Sequence, residues 1–74
     1  MKRNATISYE PLWETMRNRG ISTYELTIKH RFNKGTLYRM QKGENVNLTT
    51  VVELCEILNC HIEDVVKIEL NTDE

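Results

Sequence analysis

Lys34, Arg39 and Lys42 are three long cations within nine residues, with Gly35 and Tyr38 among them. At about 100° per residue, a helix over 34–42 gathers Lys34, Gly35, Tyr38, Arg39 and Lys42 on one arc. Leu37 and Met40, with Thr36, fall on the other. The outward arc then holds three cations, one phenol and one glycine, and no acid. Its chemistry is donation: such groups address phosphate oxygens, or O6 and N7 of guanine. Gly35 leaves room for close approach, and Tyr38 offers its ring to a thymine methyl or its hydroxyl to a phosphate. A solvated basic face on a plain helical bundle would use the same residue types, so the arc needs a structural context.

Other constellations are weaker. Cys55, Cys60 and His61 are three candidate metal ligands. Their spacing puts them on opposite helix faces, which does not make a tetrahedral set, and buried structural thiols are expected instead. His30 lies among cations and is expected to flank phosphate. The chain has no Ser/His/Asp set, no paired carboxylates and no phosphate-cradling glycine loop, so an enzyme is not expected. No metal or cofactor is expected either.

The charge is sorted along the chain. The net charge is −1, but residues 1–43 hold nine Lys and Arg against three acids, giving +6. Residues 44–74 hold Lys67 against eight acids, giving −7. Such asymmetry describes a dipolar molecule with one face suited to a polyanion.

The elements that must position the basic arc follow from spacing and punctuation. Seventy-four residues, 39% apolar and 28% charged, suit one small globular domain over 1–74. No apolar run approaches the ~18 residues of a membrane-spanning helix, and no secretory apolar region follows Lys2 and Arg3. Two cysteines are too few for a disulfide-stapled scaffold, so a reducing, cytoplasmic compartment is expected. Tyr9, Leu12, Trp13 and Met16 form one helical stripe, capped by Ser8, with Pro11 in the first turn and Gly20 closing the helix. Ser22 and Glu25 form a capping box for a short second helix burying Ile21, Leu26 and Ile28, and Phe32 anchors the turn after it. Asn33 caps the third helix, which Gly43 closes. Asn47 caps a fourth whose buried face is Leu48, Val51, Val52, Leu54, Cys55 and Leu58, with Thr49, Glu53 and Glu56 in water and Asn59 as left-handed terminator. A last helical turn or two begins near Ile62, weakly capped by His61, and buries Val65 and Val66. The chain ends alternate with period two, which predicts two short strands, 5–8 and 67–70, paired within the chain or with a second copy. Residues 71–74 should fray.

The residues also resemble a family. Pro-Leu-Trp at 11–13, Arg-Gly-Ile-Ser at 19–22, Leu26 and Phe-Asn-Lys-Gly-Thr-Leu at 32–37 carry the likeness. It continues through Lys-Gly-Glu-Asn-Val at 42–46, Leu-Cys-Glu-Ile-Leu-Asn-Cys at 54–60 and Ile-Glu-Asp-Val-Val at 62–66. From Tyr9 to Glu69 the chain resembles the small lambda-Cro/CI-type (XRE-type) helix-turn-helix regulators of bacteria and phages. The resemblance implies an all-α, five-helix domain with its helix-turn-helix unit at 22–43. It further implies sequence-specific binding to duplex DNA, commonly as a homodimer, in the cytoplasm at the nucleoid. Carried over by position, Lys34, Gly35, Tyr38 and Arg39 lie nearest the bases. Thr23, Asn33, Thr36, Lys42 and Asn45 fall at phosphate-contacting positions. Ser22 joins them because a helix N-terminus aims amides at anions.

Two departures stand out. Thr27 replaces the small alanine usual where the two helices touch, which would open their packing slightly. Arg31 stands where the inter-helix turn usually has glycine; a side chain in the left-handed region costs about 1 kcal/mol, and an added phosphate contact is one of two open outcomes. The competing expectation from another class is a protein-interaction module of the same fold, holding a partner protein on its acidic C-terminal half.

Overall fold

Tyr9, Leu12 and Met16 recur at helical spacing and all three are buried, with Trp13 half-buried beside them. They seat helix α1 (Glu10–Arg19) on the core in the computed structural model, which describes residues 5–70. The expected frayed tail, 71–74, lies outside the described residues. Strand β1 (Ala5–Ser8) precedes α1, and α2 (Thr23–Ile28), α3 (Lys34–Gln41) and α4 (Leu48–Leu58) follow it. A 3₁₀ turn (Ile62–Asp64) and strand β2 (Lys67–Leu70) complete the order.

The element boundaries follow the punctuation. Gly20 takes the left-handed conformation at φ 67° and closes α1, and Asn59 does the same for α4 at φ 53°. At α2 the Ser22 hydroxyl accepts from the Glu25 amide, while the Glu25 carboxylate accepts from the Ser22 amide, each at 3.1 Å. The start of α1 differs from expectation. Tyr9, not Ser8, holds the N-cap position, and the Ser8 hydroxyl accepts from the Glu10 amide at 3.3 Å as the strand ends.

The expected strands form and pair within the chain, antiparallel, with Ile7 opposite Ile68 and Ser8 opposite Lys67. Of the two pairings expected, the one within the chain is present. Lys67 ties the sheet to α1, its ammonium 3.3 Å from Glu10 and 3.6 Å from Glu69. The hydrogen bond that this ammonium donates to the Glu10 carboxylate is the main cause that holds it above its ordinary pKa.

A core of Leu12, Leu26, Leu37, Met40, Leu54, Leu58 and Val65, with their neighbours, draws on all four helices. Two polar side chains bind distant segments together. The Tyr9 hydroxyl donates to the Glu44 carbonyl at 2.6 Å, fixing the segment after α3 to the head of α1. The Thr15 hydroxyl donates to the Asp64 carbonyl at 2.7 Å, fixing α1 to the 3₁₀ turn.

Three expectations are corrected. The fifth helix is a single 3₁₀ turn, closed by the Val65 amide on the Ile62 carbonyl at 2.9 Å. Seven residues separate Asn59 from β2, of which Ile62–Asp64 form the turn, and the described fold is four helices with a two-stranded sheet. Leu48 and Val52 were expected inside, yet they are 73% and 57% exposed. The apolar arc of α4 is wider than the core it covers, so only Val51, Leu54 and Leu58 are buried. Ile28, at the last position of α2, is likewise exposed, because the chain turns away at Lys29.

Tyr9→Phe tests the longest of these links. Losing the hydrogen bond to Glu44 should cost about 1 kcal/mol at neutral pH, with an unpaired carbonyl left behind. Burial pushes the Tyr9 phenol above its ordinary pKa of 10.0, against a smaller opposing pull from the Val46 backbone. The unfolded chain therefore ionises first, so wild-type stability is held below that pKa and lost as pH rises beyond it. Denaturant titrations at neutral and alkaline pH should show the variant less stable at pH 7 and less sensitive to alkali.

Candidate nucleic-acid interface

Helix α3 presents Lys34, Gly35, Tyr38 and Arg39 to solvent, while Leu37 and Met40 are buried beneath it. Its N-terminus is set by Asn33, whose side-chain oxygen accepts from the Thr36 amide at 2.9 Å. Gly35 has a structural role besides openness. A Cβ there would lie 3.2 Å from that same Asn33 oxygen, so the residue keeps the cap uncrowded as well as leaving the surface bare. Thr36 is half-buried at the foot of the helix, and Lys42 occupies the C-cap, one residue beyond the helix proper.

Helix α2 and the turn frame this surface. Ser22 and Thr23 are exposed at the start of α2, and although Ser22 accepts the capping bond, its hydroxyl hydrogen remains a donor. Arg31 adopts the left-handed conformation at φ 58° and is exposed. The turn thus keeps the geometry that glycine would favour, at the expense noted above. The Phe32 amide, bonded to the Leu26 carbonyl at 3.1 Å, holds the turn beneath it. Thr27 turns its hydroxyl back onto its own helix, 3.2 Å from the Thr23 carbonyl and 3.1 Å from that of Tyr24. Its polar atom is satisfied locally.

Between the two helices lies an open groove of about 450 Å³, lined by Thr23, Tyr24, Lys34, Tyr38 and Gln41 with Leu37 at its base. Two of these residues, Tyr24 and Gln41, were missed by sequence reasoning. Tyr24 is 71% exposed, and an aromatic at the second position of a short helix, off its apolar stripe, was the available signal.

The electrostatics favour an anion at α3. Among the described residues no carboxylate lies within ion-pair distance of Lys34 or Arg39. Lys42 is the partial exception, with its ammonium 3.7 Å from the Glu44 carboxylate and 5.0 Å from the centre of the Tyr38 ring. Both ion-pair groups are about half exposed, so this pairing is weak and screened by salt. Asn45 is exposed just beyond it. Of the site residues predicted from the sequence, Thr23, Lys34 and Tyr38 line the α2–α3 groove together, and the others, half-buried Thr36 excepted, are exposed along residues 22–45.

The cysteines stand elsewhere. Cys55 and Cys60 are half-buried, not fully buried as expected, and line a separate groove on α4. Burial first, then the Cys55 thiol and the Asp64 carboxylate, push the Cys60 thiol up against a smaller pull from Arg19. No group of three or more metal-ligating side chains comes together among the described residues.

The comparisons with known proteins agree with this geometry. Residues 11–71 match the model of the Cro/C1-type HTH DNA-binding domain. Among solved structures, the transcriptional regulator VanUg (crystal form II) is similar, at 30% sequence identity and a TM-score of 0.82, covering 96% of this chain and 93% of its own. No curated protein matches the chain. With its α2–turn–α3 unit intact and the family match spanning most of its length, the chain belongs to the Cro/C1-type helix-turn-helix DNA-binding family.

Proposed function

We propose that the chain is a transcriptional regulator that binds duplex DNA sequence-specifically by laying α3 in the major groove. The observation that carries this reading is the α3 surface itself: Lys34, Tyr38 and Arg39 exposed, with Lys34 and Arg39 free of carboxylates among the described residues. A groove about 12 Å wide admits one helix, and long cations on it reach base edges. The structural neighbour's description as a transcriptional regulator supports the same reading.

Base choice falls to Lys34, Gly35, Tyr38 and Arg39. Arg39, and Lys34 less rigidly, address guanine O6 and N7; Tyr38 meets a thymine methyl; Gly35 admits close approach. Ser22, Thr23, Arg31, Asn33, Thr36, Lys42 and Asn45 hold phosphates and fix register without reading sequence. The whole chain acts as one DNA-binding domain, without an enzymatic step and without cofactor. Its setting is the cytoplasm, at the nucleoid of a bacterium or the genome of a phage. Among the described residues no helix is long and apolar enough to cross a membrane. One α3 covers only a half-site, so two copies bind as a homodimer to half-sites about one helical turn, ~34 Å, apart.

Selection of bound duplexes from a random-sequence pool tests the reading directly. A conserved, two-fold symmetric motif is expected; recovery of unselected sequence would contradict base readout. On the selected duplex, Arg39→Ala should cost about 1–3 kcal/mol of binding and relax preference at one base position. Unchanged affinity and preference would remove Arg39 from the reading face. Lys42→Ala should weaken all sequences alike and lower the salt slope by about 1 at most, since Glu44 already shares part of that charge. Titrations across a salt series separate the two effects. A chain that passes through random duplex DNA unretained at low salt, yet captures a protein through its acidic half, would favour the interaction-module alternative.

A further inference from the structure

Lys34 and Tyr38 belong to the outward arc of α3, and the same two side chains line the groove between α2 and α3. Tyr24 joins them from α2, 71% exposed, with Thr23 beside it and buried Leu37 at the base of the groove. The core does not use this phenol: α2 is seated by Leu26, its one fully buried residue. Tyr24 therefore brings an apolar ring and a hydroxyl donor to a surface that opens alongside the cations of α3. Glu25, its acidic neighbour in the chain, is held back by the Ser22 amide.

We infer that Tyr24 is a further DNA-positioning residue: its hydroxyl donates to a phosphate of the strand that walls the major groove, and its ring lies against the adjoining deoxyribose. The inference rests on the major-groove reading above and adds to it a contact from α2. Size favours this occupant. A helix with its side chains is about 10–12 Å across, and the major groove is about 12 Å wide. Helix α3 seated there fills the space between the two strands. A side chain that projects beside α3 on the same open side then meets the sugar–phosphate wall, not a base edge. Tyr24 is so placed, on the α2 side of Lys34 and Tyr38. The lining fits as well. Leu37 and the tyrosine rings offer apolar surface to a deoxyribose, while Thr23, Tyr24 and Lys34 offer donors to its phosphate, and no acid lines the groove. Such a contact fixes register and carries no base choice. A hydroxyl brings no positive charge, so it displaces no counterion, which separates its signature from that of the cations.

The test uses the full chain and the selected duplex. Tyr24→Phe should bind that duplex about three- to tenfold more weakly than wild type, and a mismatched duplex more weakly by the same factor. Its plot of log affinity against log salt should run parallel to that of the wild type, whereas Lys42→Ala flattens the plot. Tyr24→Ala should lose more than Y24F, because the ring's contact with the sugar goes too. Circular dichroism of both variants should be unchanged, since the position is exposed. Replacing the phosphates one position at a time by neutral methylphosphonate locates the contact. At one position in each half-site the Y24F penalty should shrink below about twofold, and elsewhere it should persist. Equal binding of Y24F and wild type, a loss confined to preference at one base pair, or a penalty indifferent to every phosphate replacement would overturn the inference and leave the major-groove reading standing. Failure of the wild type to bind any duplex would overturn both.

Discussion

Helix α3 has eight residues, fewer than the ~12–15 at which an isolated helix becomes even marginal in water. It exists because Leu37 and Met40 are held in the core, a burial worth roughly 1.5–3 kcal/mol for each side chain. The Asn33 cap adds about 1 kcal/mol more. Everything the molecule offers to a nucleic acid depends on this seat. It fixes the azimuth of the helix, so that the cations face outward as a consequence of which residues face inward. Gly35 sits at the junction of the two demands, sparing the cap on one side and the approach of a ligand on the other.

The fold also keeps its own carboxylates away from that surface. Glu25 is engaged by the Ser22 amide, and Glu10 and Glu69 share the Lys67 ammonium. Glu53 and Glu56 lie on α4. Among the described residues only Glu44 reaches a cation near α3, at Lys42 and half in water. A chain of almost neutral net charge thereby presents a locally cationic face. The same separation leaves α4 with an acidic, apolar-seamed surface of its own, suited to different work from that of α3.

Much of this was legible in the residues because it is decided locally. Ser22 and Glu25, Asn33, Gly20 and Asn59 act through hydrogen bonds or φ preferences within a few positions, and each stands where its chemistry predicts. The strand pairing was legible through its period of two. What failed depended on distant neighbours. Periodicity gives the width of an apolar arc, not the part that another element covers, so Leu48 and Val52 read as core although both are exposed. The fifth helix failed because Ile62, Val65 and Val66 suit an α-helix or a 3₁₀ turn leading into a strand; the sheet settles the choice. Tyr24 was missed although its place off the apolar stripe of α2 was legible; that it lines a groove with α3 depends on how the two helices pack.

The central claim is that the outward arc of α3, and not the acidic surface of α4, meets the nucleic acid. Amide shift mapping on addition of duplex DNA measures this residue by residue. The account predicts the largest changes at Thr23 and from Asn33 through Arg39, with the amides of Glu53 to Asn59 nearly still at the half-site stage. Changes centred on α4, or no changes at all at low salt, would contradict it.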